Sequence, residues 1–548
     1  MTTCQECSKG FETPDVAKKI FAKINAPLPT LCPDCRQRQR CAWRNERSLY
    51  KRTCDLTGRE TVSFYPANSP YKVYSKDAWW SDDWDPLEYG RECDFNRPFF
   101  DQFGELLMAV PHMALIVSHG ENNDYCPYSV YYKDSYMCVS GVVGENIYYS
   151  YWTNDSRDCM DCNACFRCER CYECMHCDTL YSSIFCRDCR NGNDLSFCAN
   201  CDGCKNCIGC YGLRNQEYQI FNKPVSKEAF KKFSEELRSG APRLEAMKEE
   251  FANYLLKFPQ QALQNINCEN CTGDYLRSCR NALECYMAEN LEDCAYAWNI
   301  PQGAKDACDI NYTPKGELIY NAMSGTNSSR SMALVHGWDL SESFYCFECF
   351  YGNDLFGCVG LKHKKYCILN KQYSKEDYFN LKSLIINHMG KTGEWGQFFP
   401  IALSPFAYNE TIAQEYFPLT KEQAVQKGWR WKDPEIAHLD VKKIIPAAKL
   451  PDNVSGIPDD ILNWAIQCEV THRPFRIVAQ ELKFYRDMGL PIPHLHPDER
   501  YRRRKALENS RRLYARTCAK CQAPIETTYQ PERLEIVYCE ACYLKEVY

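Results

Sequence analysis

Between residues 126 and 213, every third position carries a small, thiol, aliphatic or tyrosine side chain, and the 30 consecutive positions of this row include no charged residue. The residues between them are mainly Asp, Asn, Arg, Glu and aromatic. A helix repeats about every 3.6 residues and a strand every two, so neither element explains a period of three. A narrow β-solenoid does, because short strands alternate with turns around each coil and only small side chains fit near its axis.

The same period returns twice, between residues 279 and 300 and between residues 334 and 361. In these runs Ala, Leu and Gly replace Cys freely, which indicates that packing rather than chelation selects the inward residue. The ends of the two repetitive regions match at an offset of 148 positions, since residues 207–213 align with residues 355–361. The sequence therefore predicts two related, cysteine-rich β-solenoids.

The two ends of the chain are copies of one another. At a shift of 464 positions, residues 27–54 align with residues 491–518 without a gap, and 16 of the 28 positions are identical. This agreement is far above chance, so we interpret the ends as an internal duplication. Each copy has the spacing of two successive ribbon-type metal sites, called A and B here.

One site in each copy is complete. Site A of the first copy and site B of the second each contain two CxxC pairs, which supply four thiolates from two tight turns, the tetrahedral ligand set that zinc prefers. This spacing predicts structural zinc ribbons that bind about two zinc ions per chain; the alternative is chance pairing in a cysteine-rich chain. The predicted ligands are Cys4, Cys7, Cys32, Cys35, Cys518, Cys521, Cys539 and Cys542.

The other site in each copy has lost ligands. The degenerate positions are Cys54, Thr57, Ser75 and Ala78 in the first copy, and Cys468, Thr471, His496 and Glu499 in the second. A set of one cysteine, one histidine and one carboxylate could hold a catalytic zinc ion with an open position. We favour the interpretation that this second site has lost its metal.

Two arginine-rich segments follow the A sites, at residues 36–52 and 500–516, in a chain of net charge −6. Five arginines occupy matched places in both copies although the metal ligands have diverged. Because a guanidinium donates two hydrogen bonds to a phosphate, these arms favour contact with RNA or DNA. The alternative is that the arms are solvated helix faces or dock on the acidic stretch at residues 77–94. The predicted nucleic-acid-binding residues are Arg36, Arg38, Arg40, Arg47, Arg52, Arg500, Arg502, Arg504, Arg511 and Arg516.

Cysteine is the anomaly of the composition, with 38 residues among 548. This density would indicate disulfides in a small secreted chain. No signal peptide or membrane-spanning segment is visible in the sequence, so we expect a cytoplasmic protein with reduced thiols. For the solenoid rows we favour interior packing. The alternative is a thiolate array for metal ions, densest in the seven row positions from Cys159 to Cys177.

These features predict a mainly β fold in which duplicated zinc-ribbon modules flank two cysteine-rich β-solenoids with helical extensions. Ser226 and Ser374 are the predicted N-caps of the helices that follow the solenoids. The predicted segments are a tandem ribbon module at 1–84 with its first ribbon intact and its second degenerate, an acidic and aromatic cap for the first solenoid at 85–125, the first solenoid at 126–225, a helical insertion at 226–266, the second solenoid at 267–373, a helix and irregular linker at 374–464, and a second tandem module at 465–548 with its first ribbon degenerate and its second intact.

Three motifs carry a resemblance to a known family: residues 32–36 (Cys-Pro-Asp-Cys-Arg), residues 356–361 (Phe-Gly-Cys-Val-Gly-Leu) and residues 538–543 (Tyr-Cys-Glu-Ala-Cys-Tyr). In these motifs, and over the whole chain, the protein resembles uncharacterised cysteine-rich zinc-ribbon proteins of small-genome candidate-phylum bacteria. The resemblance implies zinc binding and a cytoplasmic location, and it implies no particular activity. The chain departs from the pattern in the second A site, where His496 and Glu499 replace thiolates.

The sequence contains no nucleotide-binding loop and no nucleophile elbow, which favours a protein that is not an enzyme. The function it supports best is a zinc-binding adaptor or scaffold that contacts RNA or DNA through the two arms. Two alternatives stay open at this point. One is a metal-storage or redox protein that uses the solenoid thiolates, and the other is a scaffold for a protein complex. No small-molecule substrate and no membrane partner are indicated.

Overall fold

The computed structural model describes residues 1–301, 303–312, 315–433 and 441–547; part of the predicted linker, residues 434–440, lies outside them. Strands dominate the described residues, which also form 12 α-helices. Two long stacks of parallel strands occupy the middle of the chain, and a small mixed module lies at each end. Within the described ranges, every helix is too short or too polar to cross a lipid bilayer.

The first stack, residues 118–224, is built from coils of twelve residues. Its strands follow the chain order and are parallel, except for the last pair, which is antiparallel. Cys159 lies opposite Cys171, and Leu195 lies opposite Cys207, so each coil sits directly on the coil before it. The strands are Ser129–Lys133, Gly141–Tyr148, Ser156–Met160, Glu169–Tyr172, Asp178–Tyr181, Arg190–Ser196, Lys205–Ile208, Glu217–Ile220 and Lys223–Pro224.

The period of three originates in the backbone. From Tyr128 to Phe221, every third residue has a positive φ, a region that residues other than Gly, Asn and Asp rarely adopt. The amide of such a corner residue donates to the preceding coil, as from Asp161 to the carbonyl of Tyr148 at 3.0 Å. Because the chain turns a corner at every third residue, every third side chain points towards the axis of the stack.

The axial row of the first stack is buried, as its spacing predicts. Cys159, Cys171 and Cys207 are each 0% exposed. Their thiols lie near carbonyls two residues earlier and nine residues later; for Cys171 Sγ these are Glu169 O at 3.5 Å and Leu180 O at 3.7 Å. Burial raises the pKa of Cys159 well above its usual range. Burial does not act alone along the row, because hydrogen bonds from neighbouring thiols lower the pKa of Cys162. The row packs as buried thiols that make weak S–H···O contacts.

The second stack, residues 266–372, has a more varied axis. Ala, Leu and Ile share it with cysteine. Leu355 pairs with Cys367 in the twelve-residue register, but Leu291 pairs with Ala304, so one coil holds an extra residue. The strands are Gly273–Arg277, Arg280–Leu283, Cys285–Glu289, Leu291–Ala295, Trp298–Ile300, Ala304–Cys308, Gly316–Tyr320, Met323–Thr326, Ser329–Ser341, Phe344–Phe347, Phe350–Phe356, Lys365–Ile368 and Lys371–Gln372.

The two terminal modules share one succession of elements, as the duplicated sequences predict. From the second strand onward, each element of the second module begins 464 residues after its counterpart. The elements of the first module are Thr2–Thr3, Gly10–Phe11, Asp15–Ile24, Pro33–Cys41, Tyr50–Thr53, Glu60–Ser63, Val73–Tyr74 and Lys76–Trp80, and those of the second are Trp464–Gln467, Pro474–Phe475, Ala479–Met488, Pro497–Lys505, Tyr514–Thr517, Pro524–Thr527, Val537–Tyr538 and Glu540–Val547.

Helices leave each stack where the sequence predicts them. Lys227–Leu237 and Ala241–Leu255 follow the first stack, and Lys375–Thr392 follows the second. Ser226 and Ser374 cap them by accepting from the amide three residues later, at 3.2 and 3.1 Å. The other helices and strands are Phe99–Ala109, His112–Met113, Gln260–Gln261, Ile412–Tyr416, Lys421–Gln426 and Lys443–Pro446.

Most of the segment at residues 85–125 covers the second stack, and the prediction that it caps the first is wrong. The helix that begins at Phe99 packs on the last coils of the second stack, with the Phe99 ring 5.3 Å from that of Phe356. From residue 118 the chain already forms the first coil of the first stack, because Ser118 pairs with Val130. An aromatic surface on the second stack decides this placement, and the spacing of residues does not reveal that surface.

The terminal modules cross over to the more distant stack in the sequence. The first module packs on the second stack, where the ring of Phe21 lies 4.7 Å from that of Tyr320. The second module packs on the first stack, where the ring of Tyr485 lies 6.0 Å from that of Tyr172. Phe21 matches Tyr485 at the 464-residue offset, and Tyr172 matches Tyr320 at the 148-residue offset. The same packing of a module on a stack therefore occurs twice.

A substitution on the axis separates packing from chelation. Cys171→Ala removes one buried sulfur and its weak carbonyl contacts, so we expect a loss of about 1–2 kcal/mol in the free energy of unfolding, scaled from buried area. The melting temperature should fall modestly and the metal content should not change. Calorimetry and elemental analysis of the variant measure the two quantities, and loss of a metal equivalent would contradict the packing interpretation.

Candidate metal centres and arginine clamps

Four cysteine thiols converge at each end of the chain. In both sets the Sγ atoms lie within 4.8 Å of one another, which is close enough for one metal ion to bind all four. Among the described residues, no other group of His, Cys, Asp or Glu side chains comes this close together. The sets are the eight predicted ligands, Cys4, Cys7, Cys32 and Cys35 at one end and Cys518, Cys521, Cys539 and Cys542 at the other.

Backbone amides prepare one thiol in each set for metal binding. The amide of Cys32 donates to Cys4 Sγ, and the amide of Cys539 donates to Cys518 Sγ, both at 3.2 Å. Burial opposes ionisation of the acceptor thiols, but the surrounding amides lower the pKa of Cys4 and that of Cys518 to about 6. The thiolate is the form that binds metal, so the two turns provide the same chemistry at both ends.

The turn itself survives where the ligands have been lost. A residue with positive φ closes the first CxxC turn or its remnant in all four sites, namely Ser8, Gly58, His472 and Gln522, with φ of 61°, 70°, 55° and 60°. In each case its amide donates to the carbonyl of the first cysteine at 2.9–3.0 Å. The degenerate sites therefore keep the backbone of the complete ones.

His496 and Glu499 of the degenerate second A site are committed to other contacts. His496 Nδ1 accepts from the amide of Asp498 at 3.1 Å and caps the following helix. Glu499 accepts hydrogen bonds from Arg502 at 2.7 and 2.8 Å and from Arg503 at 3.1 Å. These partners favour a site that has lost its metal over a catalytic centre.

Two buried arginines on the helix that carries Cys35 form ion pairs with one aspartate of the second stack. We call Arg36, Arg40 and Asp309 the first clamp. Arg36 Nη2 lies 3.2 Å from Asp309 Oδ1, with a shorter contact through Nε, and Arg40 Nη1 lies 3.5 Å from the same oxygen. The residues are 4%, 0% and 0% exposed, respectively. Arg40 also donates to Asn321 at 3.3 Å.

The equivalent helix of the second module forms a second clamp on the first stack, with Arg500, Arg504 and Asp161. Arg504 Nη1 lies 2.7 Å from Asp161 Oδ1, and Arg500 Nη1 lies 3.3 Å from Asp161 Oδ2. Glu481 lies 3.4 Å from Arg500 and brings a second buried carboxylate. The first module has Ala17 at the place of Glu481, so the first clamp has one carboxylate fewer.

The aspartates are the functional residues that the sequence reading missed. Asp161 matches Asp309 at the 148-residue offset, and Asn163 matches Asn311 two positions later. Both aspartates are corner residues, with φ of 57° and 60°. Asp and Asn are frequent at such corners, so each aspartate by itself looks like an ordinary turn residue. Only the 148-residue offset between the stacks shows that the two occupy equivalent positions.

The clamps correct part of the arm prediction. Arg36, Arg40, Arg500 and Arg504 are buried and paired with carboxylates, and from these positions they cannot contact the phosphate backbone of a nucleic acid. The arms do dock within the chain, but they dock on stack aspartates rather than on the acidic stretch at residues 77–94. A guanidinium forms the same charge-assisted hydrogen bonds with a carboxylate as with a phosphate, and here the acceptor is a carboxylate.

The other six predicted arginines also have partners in the chain, and Arg52 among them is buried, with a side chain 5% exposed. Arg502 has the most accessible side chain among those that form ion pairs, at 68% exposed. The partners are Glu6 for Arg38, Asp498 for Arg47, Asp55 for Arg52, Glu499 for Arg502, the rings of Trp298 and Tyr416 for Arg511, and the carbonyls of Gln530 and Glu535 for Arg516.

Ion pairs also join the two modules directly. Arg47 Nη2 lies 2.9 Å from Asp498 Oδ1, and Arg512 Nη2 lies 2.5 Å from Asp34 Oδ2. Asp34 and Asp498 occupy the same place in the two copies, directly beside the A-site turn. Each module therefore contacts the other through the same aspartate, although the arginine partners are not equivalent, because Arg47 matches Arg511 rather than Arg512.

Arg44 connects the two stacks. Its Nη1 donates to Ser324 of the second stack at 2.7 Å, and its Nη2 donates to Ser140 of the first stack at 2.6 Å. The rings of Tyr128 and Tyr312 lie 3.6 and 4.4 Å from the guanidinium carbon. This single buried side chain therefore fixes the distance between the stacks at one point.

A scan against protein-family models and a search of curated proteins each gave no match. The functional interpretation below therefore depends on the geometry of the metal centres and of the clamps.

The two clamps should differ in strength. Asp309→Asn leaves Arg36 and Arg40 without a carboxylate, so we expect the free energy of unfolding to fall by about 3–5 kcal/mol, the usual effect of one unpaired buried charge. Asp161→Asn should cost less, because Glu481 still neutralises Arg500. Chemical denaturation of both variants measures the difference.

The matched control for this comparison is Asp155→Asn, since Asp155 is an exposed corner residue of the first stack. Its effect should stay within about 0.5 kcal/mol. If the two clamp variants lose the same stability, the compensating role of Glu481 is wrong.

Proposed function

We propose that the protein is a zinc-stabilised, non-enzymatic scaffold in which two zinc-ribbon modules fasten two β-solenoids into one rigid unit. The observation that carries this proposal is the repeated clamp. In each copy the helix after the A-site turn buries two arginines on a corner aspartate of a stack. In the first copy a single helix thereby joins a four-cysteine site to a stack, and in the second copy the equivalent helix joins the degenerate site to the other stack.

Zinc is the metal that the four-cysteine sets support best. In a tetrahedron with Zn–S bonds of about 2.3 Å, neighbouring sulfurs lie about 3.8 Å apart. Cys7 Sγ lies 3.6 Å from Cys32 Sγ, and Cys521 Sγ lies 3.8 Å from Cys539 Sγ. Four thiolates leave no open coordination position, which supports a structural role. Iron accepts the same ligand set, so the metal has to be measured.

The stacks have the features of β-solenoids. Their twelve-residue register, corner residues at every third position and buried small-residue axis all support coils wound around a narrow core. The thiols of the first stack are enclosed and lie against backbone carbonyls, which supports a packing role over metal storage or redox chemistry. A rigid rod of this kind offers long lateral faces to a partner.

Contact with RNA or DNA is a second candidate, and it is supported by exposed arginines on the second module. The side chains of Arg502, Arg503 and Arg473 are 68%, 50% and 58% exposed. Each also pairs with a carboxylate, Glu499 or Asp498, which reduces the charge available to a phosphate. A scaffold whose partner is a protein therefore has the stronger support.

We predict the zinc content of the protein and the effect of zinc removal on the helix that carries the first clamp. Protein produced with ample zinc should contain about two zinc ions per chain by elemental analysis. Cys4→Ser combined with Cys7→Ser should remove one ion, and it should speed hydrogen exchange in the helix Pro33–Cys41, because metal binding supplies folding energy to that module.

Cys54→Ser is the control, since Cys54 is a buried thiol of a degenerate site and its loss should leave both ions in place. About six or more tightly bound ions per chain, or loss of zinc from the control, would refute the structural-zinc assignment.

Nucleic-acid binding is tested with residues that the clamps do not use. Filter binding of wild type and of Arg502→Glu/Arg503→Glu, with single-stranded RNA at two salt concentrations, should show salt-sensitive binding that the double variant weakens, because phosphate contacts release counterions. Lys231→Glu/Lys232→Glu, on an exposed helix, makes the same change in charge and should have little effect. Equal binding by all three proteins, or none by wild type, would leave the scaffold without this second activity.

A further inference from the structure

A cavity of about 490 Å³ lies between the first stack, the helix Ala241–Leu255 and the second module. Its volume falls within the range of small-molecule sites, about 300–1,000 Å³. Three phenylalanines line part of it. The rings of Phe185 and Phe197 stack at 4.5 Å with an interplanar angle of 15°, and the ring of Phe251 lies edge-on to Phe197 at 6.2 Å. Lys248 Nζ lies 4.7 Å from the centre of the Phe185 ring, so the wall combines aromatic surface with a cation.

The cavity also contains a buried histidine without a hydrogen bond. The side chain of His176 is 9% exposed and lies 3.4 Å from Asp188 and 3.9 Å from Glu508. Neither ring nitrogen has a hydrogen bond of normal geometry to any described residue. Burial opposes the positive charge, but Asp188 and Glu508 raise the pKa of His176 above its ordinary value. The ring can therefore donate to an acceptor that enters the cavity.

Arginines in the lining have free donors too. Nε and Nη2 of Arg500 are buried and have no partner among the described residues. Among the described residues, Arg187 forms one ion pair, a distant contact with Asp188 at 4.0 Å. Each carboxylate in the lining has a cationic neighbour: Glu173 and Glu245 share Lys248, Glu508 pairs with Lys505, Glu535 pairs with Arg533, and Asp188 faces both His176 and Arg187. Among the described lining residues, the buried side-chain atoms without a hydrogen-bond partner are the ring nitrogens of His176 and Nε and Nη2 of Arg500.

We propose that this cavity binds a small aromatic anion, with its planar ring against Phe185 and Phe251 and its carboxylate or phosphate against His176 and Arg187. An apolar wall next to unpaired cationic donors matches such a ligand in shape and in charge. This binding activity goes beyond the scaffold role, and neither proposal requires the other. Because the cavity borders both the first stack and the second module, a bound ligand connects the two.

The first experiment compares two probes that differ in charge. Anilinonaphthalene sulfonate is an aromatic anion, and phenylnaphthylamine is the same ring system without the sulfonate. Fluorescence titration of the full-length, metal-loaded protein should show one saturable site for the anion, with at least about tenfold weaker binding of the neutral probe, since a charge-assisted hydrogen bond is lost. Equal affinity for the two probes would overturn the assignment of an anion site.

The second experiment uses a matched pair of charge reversals. Arg187→Glu should weaken binding of the sulfonate probe by about tenfold or more. Lys205→Glu makes the same change in charge on the exposed surface of the first stack and should leave binding as it is. Unchanged binding by the Arg187 variant would overturn the proposal, and melting curves and metal content verify that both variants are folded.

A third variant covers a failure of Arg187→Glu to fold. Ala252 is exposed on a helix and lines the cavity, so Ala252→Phe should fill space there without disturbing the core, and binding of the sulfonate probe should be lost. Displacement of the probe by naphthoate but not by adenosine monophosphate identifies a carboxylate ligand, and the reverse result identifies a phosphate. Displacement by neither would overturn the proposal.

Discussion

The structure depends on the neutralisation of buried guanidinium groups. Arg36, Arg40, Arg500 and Arg504 all lie in the interior, where an unpaired charge is costly. Asp309 and Asp161 neutralise them, and this requirement fixes the rotation and the height of each helix on its stack. Since the same helices begin at the A-site turns, the position of the first metal site, and of its degenerate counterpart, follows from the clamp. A hydrophobic contact alone would allow the modules to slide along a stack whose coils repeat every twelve residues, whereas a single aspartate gives one register.

The stacks tolerate an unusual backbone because their coils satisfy one another. A left-handed corner at every third residue is individually unfavourable for most side chains. Here each corner amide donates to the neighbouring coil, so the conformation is maintained by a regular ladder of hydrogen bonds. Cysteine suits the axis because it is small, packs as a hydrophobic side chain and can direct its S–H towards a carbonyl. The second stack achieves the same packing with Ala, Leu and Ile, which shows that the position selects size and polarity more than sulfur.

The charges of the arms are mostly used inside the molecule. Arg44 spans the two stacks, and Arg47 and Arg512 connect the modules. A chain with two duplications could have folded as two independent halves. The crossed docking of module and stack, together with these bridges, makes one assembly of four parts. In this arrangement the lateral faces of the stacks and the cavity beside the second module are the surfaces with capacity for partners.

The sequence by itself determines the two four-cysteine sets, the period of the stacks, the helix caps and both duplications, because each depends on residues that are close in the chain or repeat at a constant interval. It does not determine which stack a module meets, so it places the segment at residues 85–125 on the wrong stack and four clamp arginines at the surface. Those outcomes depend on long-range partners such as Asp161 and Asp309, whose sequence context is that of ordinary corner residues. Burial turned an arginine-rich segment that would bind phosphate in solution into an internal ion pair, and only the tertiary structure decides burial.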